Sequence, residues 1–195
     1  DSPYCVLLEN SDAESETHAR QRFEHLLELA LEDGCVSDAI VAENLSQARN
    51  LWHIRESITL AQAEEGVNIK HDISVPISSI PEFVKHTNAL LSQAVPGARL
   101  VNFGHLGDGN LHYNVQAPED TDTRAFLQDH EARVNALVYQ AVKQFGGSIS
   151  AEHGIGGLKV DDLPNYKDPV ALAWMQQIKH ALDPQGLLNP GRVVR

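Results

Sequence analysis

The stretch Phe103-Gly104-His105-Leu106-Gly107-Asp108-Gly109-Asn110-Leu111-His112-Tyr113-Asn114 decides the fold, because a glycine-rich turn joins two strand-like segments. Its Gly-Asp-Gly-Asn block consists of residue types that favour a tight four-residue turn. We therefore predict a β-hairpin over residues 100–116. Closing it with Leu106 opposite Leu111 places His105 directly opposite His112 on one face, with Cβ atoms about 5 Å apart. Asn114 falls on that same face.

Helical and strand-like patterns alternate on both sides of this hairpin. In that order they predict an α+β fold, an antiparallel sheet covered on one face by helices and related to the ferredoxin-like fold. We expect one domain. The predicted helices begin at a capping box of Ser11 and Glu14, at Ser46, at Ser79 with Pro81, at Arg124 and at Asp168 with Pro169. The other predicted strands cover residues 4–8, 39–42 and 69–77 and the glycine-rich segment 147–157.

Charge and composition exclude several classes of function. Fifteen Lys and Arg against 27 Asp and Glu give a net charge of -12, which argues against a nucleic-acid partner. No apolar run is long enough to cross a bilayer, so a soluble, cytoplasmic protein is expected. Cys5 and Cys35 are expected to be buried thiols in a reducing compartment. The start at Asp1-Ser2-Pro3, without an initiator Met, indicates an excised fragment.

Two imidazoles held across a hairpin can bind one Zn²⁺ or a similar divalent ion, but a carboxylate is needed to complete the site. Glu152 is the candidate, because its flanking glycines let the backbone approach closely. On a regular strand Glu152 and His153 point to opposite sides, which leaves His153 free as a proton acceptor. The alternative is that these are ordinary histidines on a sheet surface and that Glu152 and His153 have no special role.

Arg55 and Lys70 are a second suggestive pair, since a guanidinium and an ammonium could clamp the carboxylate of an acidic substrate. The alternative is that both are solvated partners of surface acids. Asn189-Pro190-Gly191 is first of all a turn, and the bare tripeptide says nothing about ligands.

Three motifs in order carry a resemblance to a known family: 104–112 (GHLGDGNLH), 151–156 (AEHGIG), and Asp183-Pro184 followed by 188–191 (LNPG). Together they closely resemble the C-terminal domain of FAD-linked oxidases of the vanillyl-alcohol oxidase type. The most similar branch contains D-lactate dehydrogenase, the glycolate oxidase FAD subunit and D-2-hydroxyglutarate dehydrogenase. The resemblance covers nearly the whole chain and implies an N-terminal FAD-binding domain that these 195 residues do not include.

The resemblance also implies roles for individual residues. His153 sits where the family's active-site base does, and Asn189 would reach the flavin across the domain boundary. The implied metal ligands are His105, His112 and Glu152, and the implied substrate-binding residues are Arg55, Thr59, Lys70 and Asn114.

The implied function is oxidation of a D-2-hydroxy acid to a 2-oxo acid, with hydride transfer to FAD. A divalent metal would assist the reaction, and Zn²⁺ is the first candidate for it. Residues 1–195 would form the C-terminal substrate- and metal-binding domain, inactive without its own FAD domain. An unidentified electron acceptor is a further partner, and contact with it could bring the protein to the inner membrane. Two other readings stay open: a stand-alone metal-binding module or metal-dependent hydrolase, and a purely structural interaction domain.

Overall fold

A computed structural model describes residues 4–195, so the Asp1-Ser2-Pro3 start lies outside the described residues. The chain divides into two compact units, Asp1–Glu65 and Gly66–Arg195. None of the described helices combines the length and the apolar composition that a bilayer crossing requires. The elements are α1 (Glu16–Glu32), α2 (Leu45–Glu56), α3 (Ile58–Glu64), β1 (Asn68–Ser74), α4 (Ile80–Ala94), β2 (Arg99–His105), β3 (Asn110–Gln116), α5 (Thr123–Gln144), α6 (Leu163–Tyr166) and α7 (Pro169–Leu182).

The first unit is helical, and several predictions for it are wrong. Ser15 is the N-cap of α1, because its Oγ accepts a hydrogen bond from the His18 N–H at 3.1 Å. Asn44, and not Ser46, is the N-cap of α2. Residues 4–8 and 39–42 form no strand, since a short apolar run needs a neighbouring strand edge to pair with. The two cysteines, Cys5 and Cys35, are exposed rather than buried.

The second unit contains an antiparallel sheet in the order β1-β3-β2, covered by α4 and α5. This confirms the predicted α+β fold with helices on an antiparallel sheet. Alternate residues of β1 and β3 point into the core, as the period of a strand requires. The core-facing strand residues include Ile69, Ile73, Leu111, Tyr113 and Val115, and they pack against Phe83, Leu91, Val134 and Val138 of the helices.

The predicted hairpin is present, but its register differs from the prediction. Residues Leu106–Asp108 form a 3₁₀ turn and Gly109 adopts a left-handed conformation with φ 74°. A Cβ at Gly109 would lie 2.1 Å from the Val75 carbonyl oxygen, so only glycine fits there. The strands therefore close with His105 opposite Asn110, and His112 lies opposite Phe103. The shift is two residues, so His105 and His112 keep one face but are diagonal neighbours.

The glycine-rich segment 147–157 is not a strand, which corrects a second prediction. It makes a single antiparallel bridge. The Ser148 N–H donates to the Ser74 carbonyl oxygen at 2.8 Å, and the Ser74 N–H donates to the Ser148 carbonyl oxygen at 3.0 Å. A Cβ at Gly147 would lie 2.1 Å from that same oxygen, which is why the approach requires glycine. The chain then bends over residues 151–153, whose N–H groups donate to Asp72 of β1. The strand alternation assumed for Glu152 and His153 is therefore wrong.

One histidine, His71 of β1, lies in the core with 1% of its surface exposed. Its Nδ1 donates to the Tyr113 carbonyl oxygen at 2.7 Å, and Nε2 contacts the Asn135 amide at 2.9 Å. Burial lowers the pKa of His71 from 6.5 to about 4, because a charged imidazole is poorly solvated there. The ring is therefore neutral in the folded protein at neutral pH.

We expect His71 to make the protein less stable in mild acid. Between pH 6.5 and about 4 the unfolded chain binds one more proton at this site than the folded chain. The destabilisation from this site is therefore absent above pH 6.5, and it reaches ~3 kcal/mol of unfolding free energy as the pH falls to 4. Urea unfolding of His71→Asn should show a pH dependence weaker by that amount. His180→Asn, at an exposed position, should behave like the wild type; an unchanged slope in His71→Asn would refute the assignment.

Candidate functional site

Polar side chains occupy the face of the sheet that carries no core residues. The register pairs Lys70 with Asn114, Asp72 with His112 and Ser74 with Asn110. Residues directly opposite in an antiparallel pair share a face, so these six side chains form one polar surface. Of the predicted substrate residues, Lys70 and Asn114 are thus adjacent to the predicted metal ligands.

The carboxylate of Glu152 lies between the two predicted histidines. Its Oε1 is 3.1 Å from Nδ1 of His105, and its Oε2 is 3.5 Å from Nε2 of His112. The two imidazole centroids are 6.4 Å apart, as a diagonal pair on one sheet face requires. The structure therefore brings together the three residues that were predicted to bind metal, although by a different strand register.

The three side chains fit the donor set of a catalytic zinc ion. Zinc binds imidazole nitrogen and carboxylate oxygen at about 2.0–2.2 Å, so two ligands of a tetrahedral ion are about 3.3–3.5 Å apart. The two contacts of Glu152 are close to that separation, although a different oxygen makes each of them. The ligand atoms that all lie within 4.8 Å of one another belong to Asp72, His112 and Glu152, so His105 would have to move closer to share the ion. Two imidazoles and one carboxylate also leave a coordination position open.

The electrostatics of His112 favour the form that can bind a metal. Its side chain is 19% exposed and packs beside the Phe103 ring, with centroids 4.9 Å apart. Burial lowers the pKa of His112, and the nearby Glu152 and Asp72 carboxylates only partly oppose that shift. A neutral imidazole keeps a lone pair available for a metal ion.

Asp72 is a site residue that the sequence analysis missed. Ligand atoms of Asp72, His112 and Glu152 all lie within 4.8 Å of one another. Burial raises the pKa of Asp72, but hydrogen bonds from the His153 and Glu152 N–H groups and from the Asn110 amide outweigh burial and hold it below its usual value. The available signal was the alternation of Lys70, Asp72 and Ser74 with the isoleucines at 69 and 73, which His71 interrupts.

His153 lies next to this group, as predicted. Its ring centroid is 6.4 Å from that of His112, and its side chain is exposed. An imidazole at that distance can exchange a proton with a small molecule bound beside His112. A pocket of about 190 Å³ opens beside Glu152, and its lining residues are Ser74, Asp108, Asn110, Ser150, Ala151 and Glu152.

The remaining predicted residues lie elsewhere in the chain. Arg55 is in α2 and Thr59 in α3, both within the first unit, so their part in the site stays a prediction. Asn189 follows α7 with φ 48°, in a turn that the Asp183 carboxylate supports by accepting the Leu187 and Leu188 N–H groups. Its contact with a flavin also stays a prediction.

Two features of the first unit contain none of the predicted site residues. A larger pocket of about 330 Å³ lies beside α1. Asp12, Glu14 and His18 cluster at the start of α1, where Arg22 contacts Asp12 at 3.3 Å. That ion pair and the cap of α1 explain the cluster as a structural feature.

A profile of the family described as FAD linked oxidases, C-terminal domain, matches residues 1–193. The chain belongs to this family. The match covers nearly all of the chain and confirms the resemblance that the three motifs carry. The polar sheet face and its histidines therefore belong to an FAD-linked oxidase C-terminal domain.

Curated relatives of this family member are D-2-hydroxyglutarate dehydrogenases. One from Xanthomonas citri pv. viticola is 43% identical over 98% of the chain and 40% of its own length. Mitochondrial enzymes from Arabidopsis thaliana and Rattus norvegicus are 38% and 39% identical over 98% and 97% of the chain. The chain spans only 40%, 32% and 34% of these three relatives.

The expected cytoplasmic location of this chain stays a prediction.

Proposed function

We propose that residues 1–195 are the C-terminal substrate- and metal-binding domain of an FAD-dependent D-2-hydroxyacid dehydrogenase. The observation that carries the proposal is the Glu152 carboxylate between His105 and His112, on the sheet face that also presents Lys70 and Asn114. Family membership and relatives named D-2-hydroxyglutarate dehydrogenase support the reaction class. From those names we further propose D-2-hydroxyglutarate as the substrate.

His105, His112 and Glu152 would hold a divalent ion, and two imidazoles with one carboxylate suit Zn²⁺. A bound ion of this kind polarises a hydroxyl oxygen and lowers the pKa of its proton. FAD, which the rest of the protein would mainly hold, would supply the acceptor for the hydride. The chain's own contribution is to orient the substrate and to move a proton.

Each of the other residues has a role in that orientation. Lys70 supplies an ammonium for one carboxylate of the substrate, with Asn114 opposite it as a hydrogen-bonding neighbour. Arg55 and Thr59 would bind the second acidic group, and Arg55 suits it because a guanidinium binds a carboxylate with two parallel hydrogen bonds. His153 would accept the hydroxyl proton, and Asn189 would contact the flavin. The electron acceptor stays unidentified.

Helix α7 supports the proposal that a flavin-binding domain belongs with this chain. Val170, Trp174, Ile178 and Leu182 recur every fourth residue, so they form one stripe along the helix. Their exposed fractions are 58%, 65%, 61% and 76%. Contiguous exposed apolar surface of this kind is typical of an interface with further protein.

The test is metal content of the purified chain by plasma mass spectrometry, before and after chelation. Titrations with Zn²⁺ and Mn²⁺ would follow, then calorimetry with D-2-hydroxyglutarate, its L enantiomer and D-lactate. We expect about one ion per chain and binding of the D-dicarboxylate to the metal-loaded form only, since the ion and the cations both hold the substrate. Equal binding to the chelated chain, or no metal at any concentration, would contradict the proposal.

A further inference from the structure

The segment that carries Glu152 and His153 has no regular secondary structure, and its residues 151–153 are exposed. An exposed bend would ordinarily let such side chains move by several ångströms, yet a metal ligand and a proton acceptor must be held in a fixed geometry. The anchor is therefore to be found among the hydrogen bonds of the backbone.

One oxygen atom anchors all three residues. Oδ2 of Asp72 accepts hydrogen bonds from the N–H groups of Ala151 at 3.2 Å, Glu152 at 2.8 Å and His153 at 2.8 Å. Successive backbone N–H groups turned toward one anion form a concave cradle for it. The bend at 151–153 is thus folded around the carboxylate of Asp72.

Asp72 is itself well fixed. It is 4% exposed and lies in β1, paired with His112 of β3. Its Oδ1 accepts a hydrogen bond from Nδ2 of Asn110 at 2.9 Å. One side chain therefore ties together β1, the end of the hairpin and the loop that carries Glu152 and His153.

Two roles are open to a carboxylate placed here, because its ligand atoms also lie close enough to His112 and Glu152 to bind the same ion. A carboxylate offers about four lone-pair positions, two on each oxygen. Oδ2 already accepts three N–H groups, and Oδ1 accepts one. Binding an ion through Oδ2 would cost these hydrogen bonds and release the loop that carries Glu152.

We infer that Asp72 is a positioning residue, which places the Glu152 carboxylate and the His153 imidazole through the backbone of 151–153. The effect of Asp72 on metal binding and proton transfer rests on the proposed function, whereas the anchoring of residues 151–153 does not. Carboxylates that hold metal ligands in place change metal affinity by about 10- to 100-fold when removed. On this inference Asp72 acts on the site through the backbone of 151–153. Direct ligation through the position that Asn110 leaves open on Oδ1 is the alternative that the variants test.

Two substitutions separate positioning from direct ligation. Asp72→Ala removes the side-chain acceptor of the Glu152 and His153 N–H groups, whereas the Ala151 N–H keeps the main-chain carbonyl oxygen of residue 72 at 3.3 Å. Asp72→Asn keeps one acceptor oxygen for the three N–H groups, and its new NH₂ group can donate to Oδ1 of Asn110, which has no partner among residues 4–195. Because hydrogen bonds to a charged acceptor are about twice as strong as neutral ones, the Asn variant should lie between wild type and Asp72→Ala.

The first readout is hydrogen exchange of the Ala151, Glu152 and His153 amides in the metal-free chain, so it does not depend on the proposed function. We expect faster exchange at the Glu152 and His153 amides in Asp72→Ala and a smaller change at Ala151, whose N–H also donates to the main-chain oxygen of residue 72. Asp72→Asn should show a smaller increase, and β3 little change. Zn²⁺ affinity should fall by about 10- to 100-fold in Asp72→Ala and less in Asp72→Asn. Asp129→Ala removes the same charge from an exposed position of α5 and should match the wild type in both measurements.

Unchanged exchange in Asp72→Ala would overturn the inference. Equal loss of Zn²⁺ affinity in both Asp72 variants, with normal exchange in Asp72→Asn, would also overturn it and assign Asp72 as a direct ligand. If Asp72→Ala does not fold, Asp72→Asn still decides, because positioning predicts faster exchange confined to 151–153. A wild-type chain that binds no metal would contradict the proposed function, while the exchange rates would still test the anchor.

Discussion

Glu152→Gln is expected to lower the Zn²⁺ affinity of the chain by at least about 100-fold, a larger loss than for a residue that only positions a ligand. Glutamine keeps the shape of the side chain but replaces a charged oxygen donor by a neutral amide. His105→Ala should have an effect of the same size, because it removes an imidazole on the other side of the same carboxylate. Competition titration with a chelator of known affinity would measure both losses.

The same variants should leave the fold intact, because the side chains of His105 and Glu152 are 56% and 43% exposed. Their urea unfolding should therefore stay close to that of the wild type. His112→Ala is expected to lose the metal and also some stability, since its side chain is only 19% exposed and packs on Phe103. Glu119→Gln, on an exposed loop, is the control. Metal content unchanged in both Glu152→Gln and His105→Ala would refute the site.

The sequence correctly predicted that His105 and His112 share one face of the hairpin, for a reason that tolerates error in register. A strand has a period of two, so a slip of two residues leaves every side chain on its original face. His105 and His112 therefore share a face whether Leu111 pairs with Leu106 or, as observed, with Gly104. The exact position and form of the predicted turn could not be derived, because they depend on the close contact between Gly109 and the Val75 carbonyl group.

Asp72 shows what a local pattern cannot reveal. From the sequence, Asp72 is one of several polar strand residues expected to face solvent. Only the tertiary fold shows that it is buried beneath residues 151–153. Those residues are about 80 positions away in the chain. The same dependence on distant partners explains the two wrong strand predictions at 4–8 and 39–42, where apolar runs find no strand edge.

His153→Gln should lower the rate of flavin reduction by D-2-hydroxyglutarate about 10²- to 10⁴-fold in the flavin-containing protein, as expected for loss of a general base. The reason is specific to this geometry. His153 is anchored by its backbone N–H, which donates to Asp72, and its side chain is exposed near His112. Substitution of the imidazole therefore removes the proton acceptor while it preserves the bend at 151–153. Stopped-flow absorbance of the flavin would measure the rate.

Metal affinity and loop exchange separate this prediction from a structural effect. Both should stay at wild-type values in His153→Gln, whereas both change if the substitution merely disturbs the loop. His25→Gln removes an exposed histidine of α1 and should leave flavin reduction unchanged. A His153→Gln rate within about threefold of the wild type would mean that the hydroxyl proton leaves by another route, because loss of a general base costs at least about 10². With metal binding intact, that result would still support His105, His112 and Glu152 as the metal site, but it would mean that another residue is the general base.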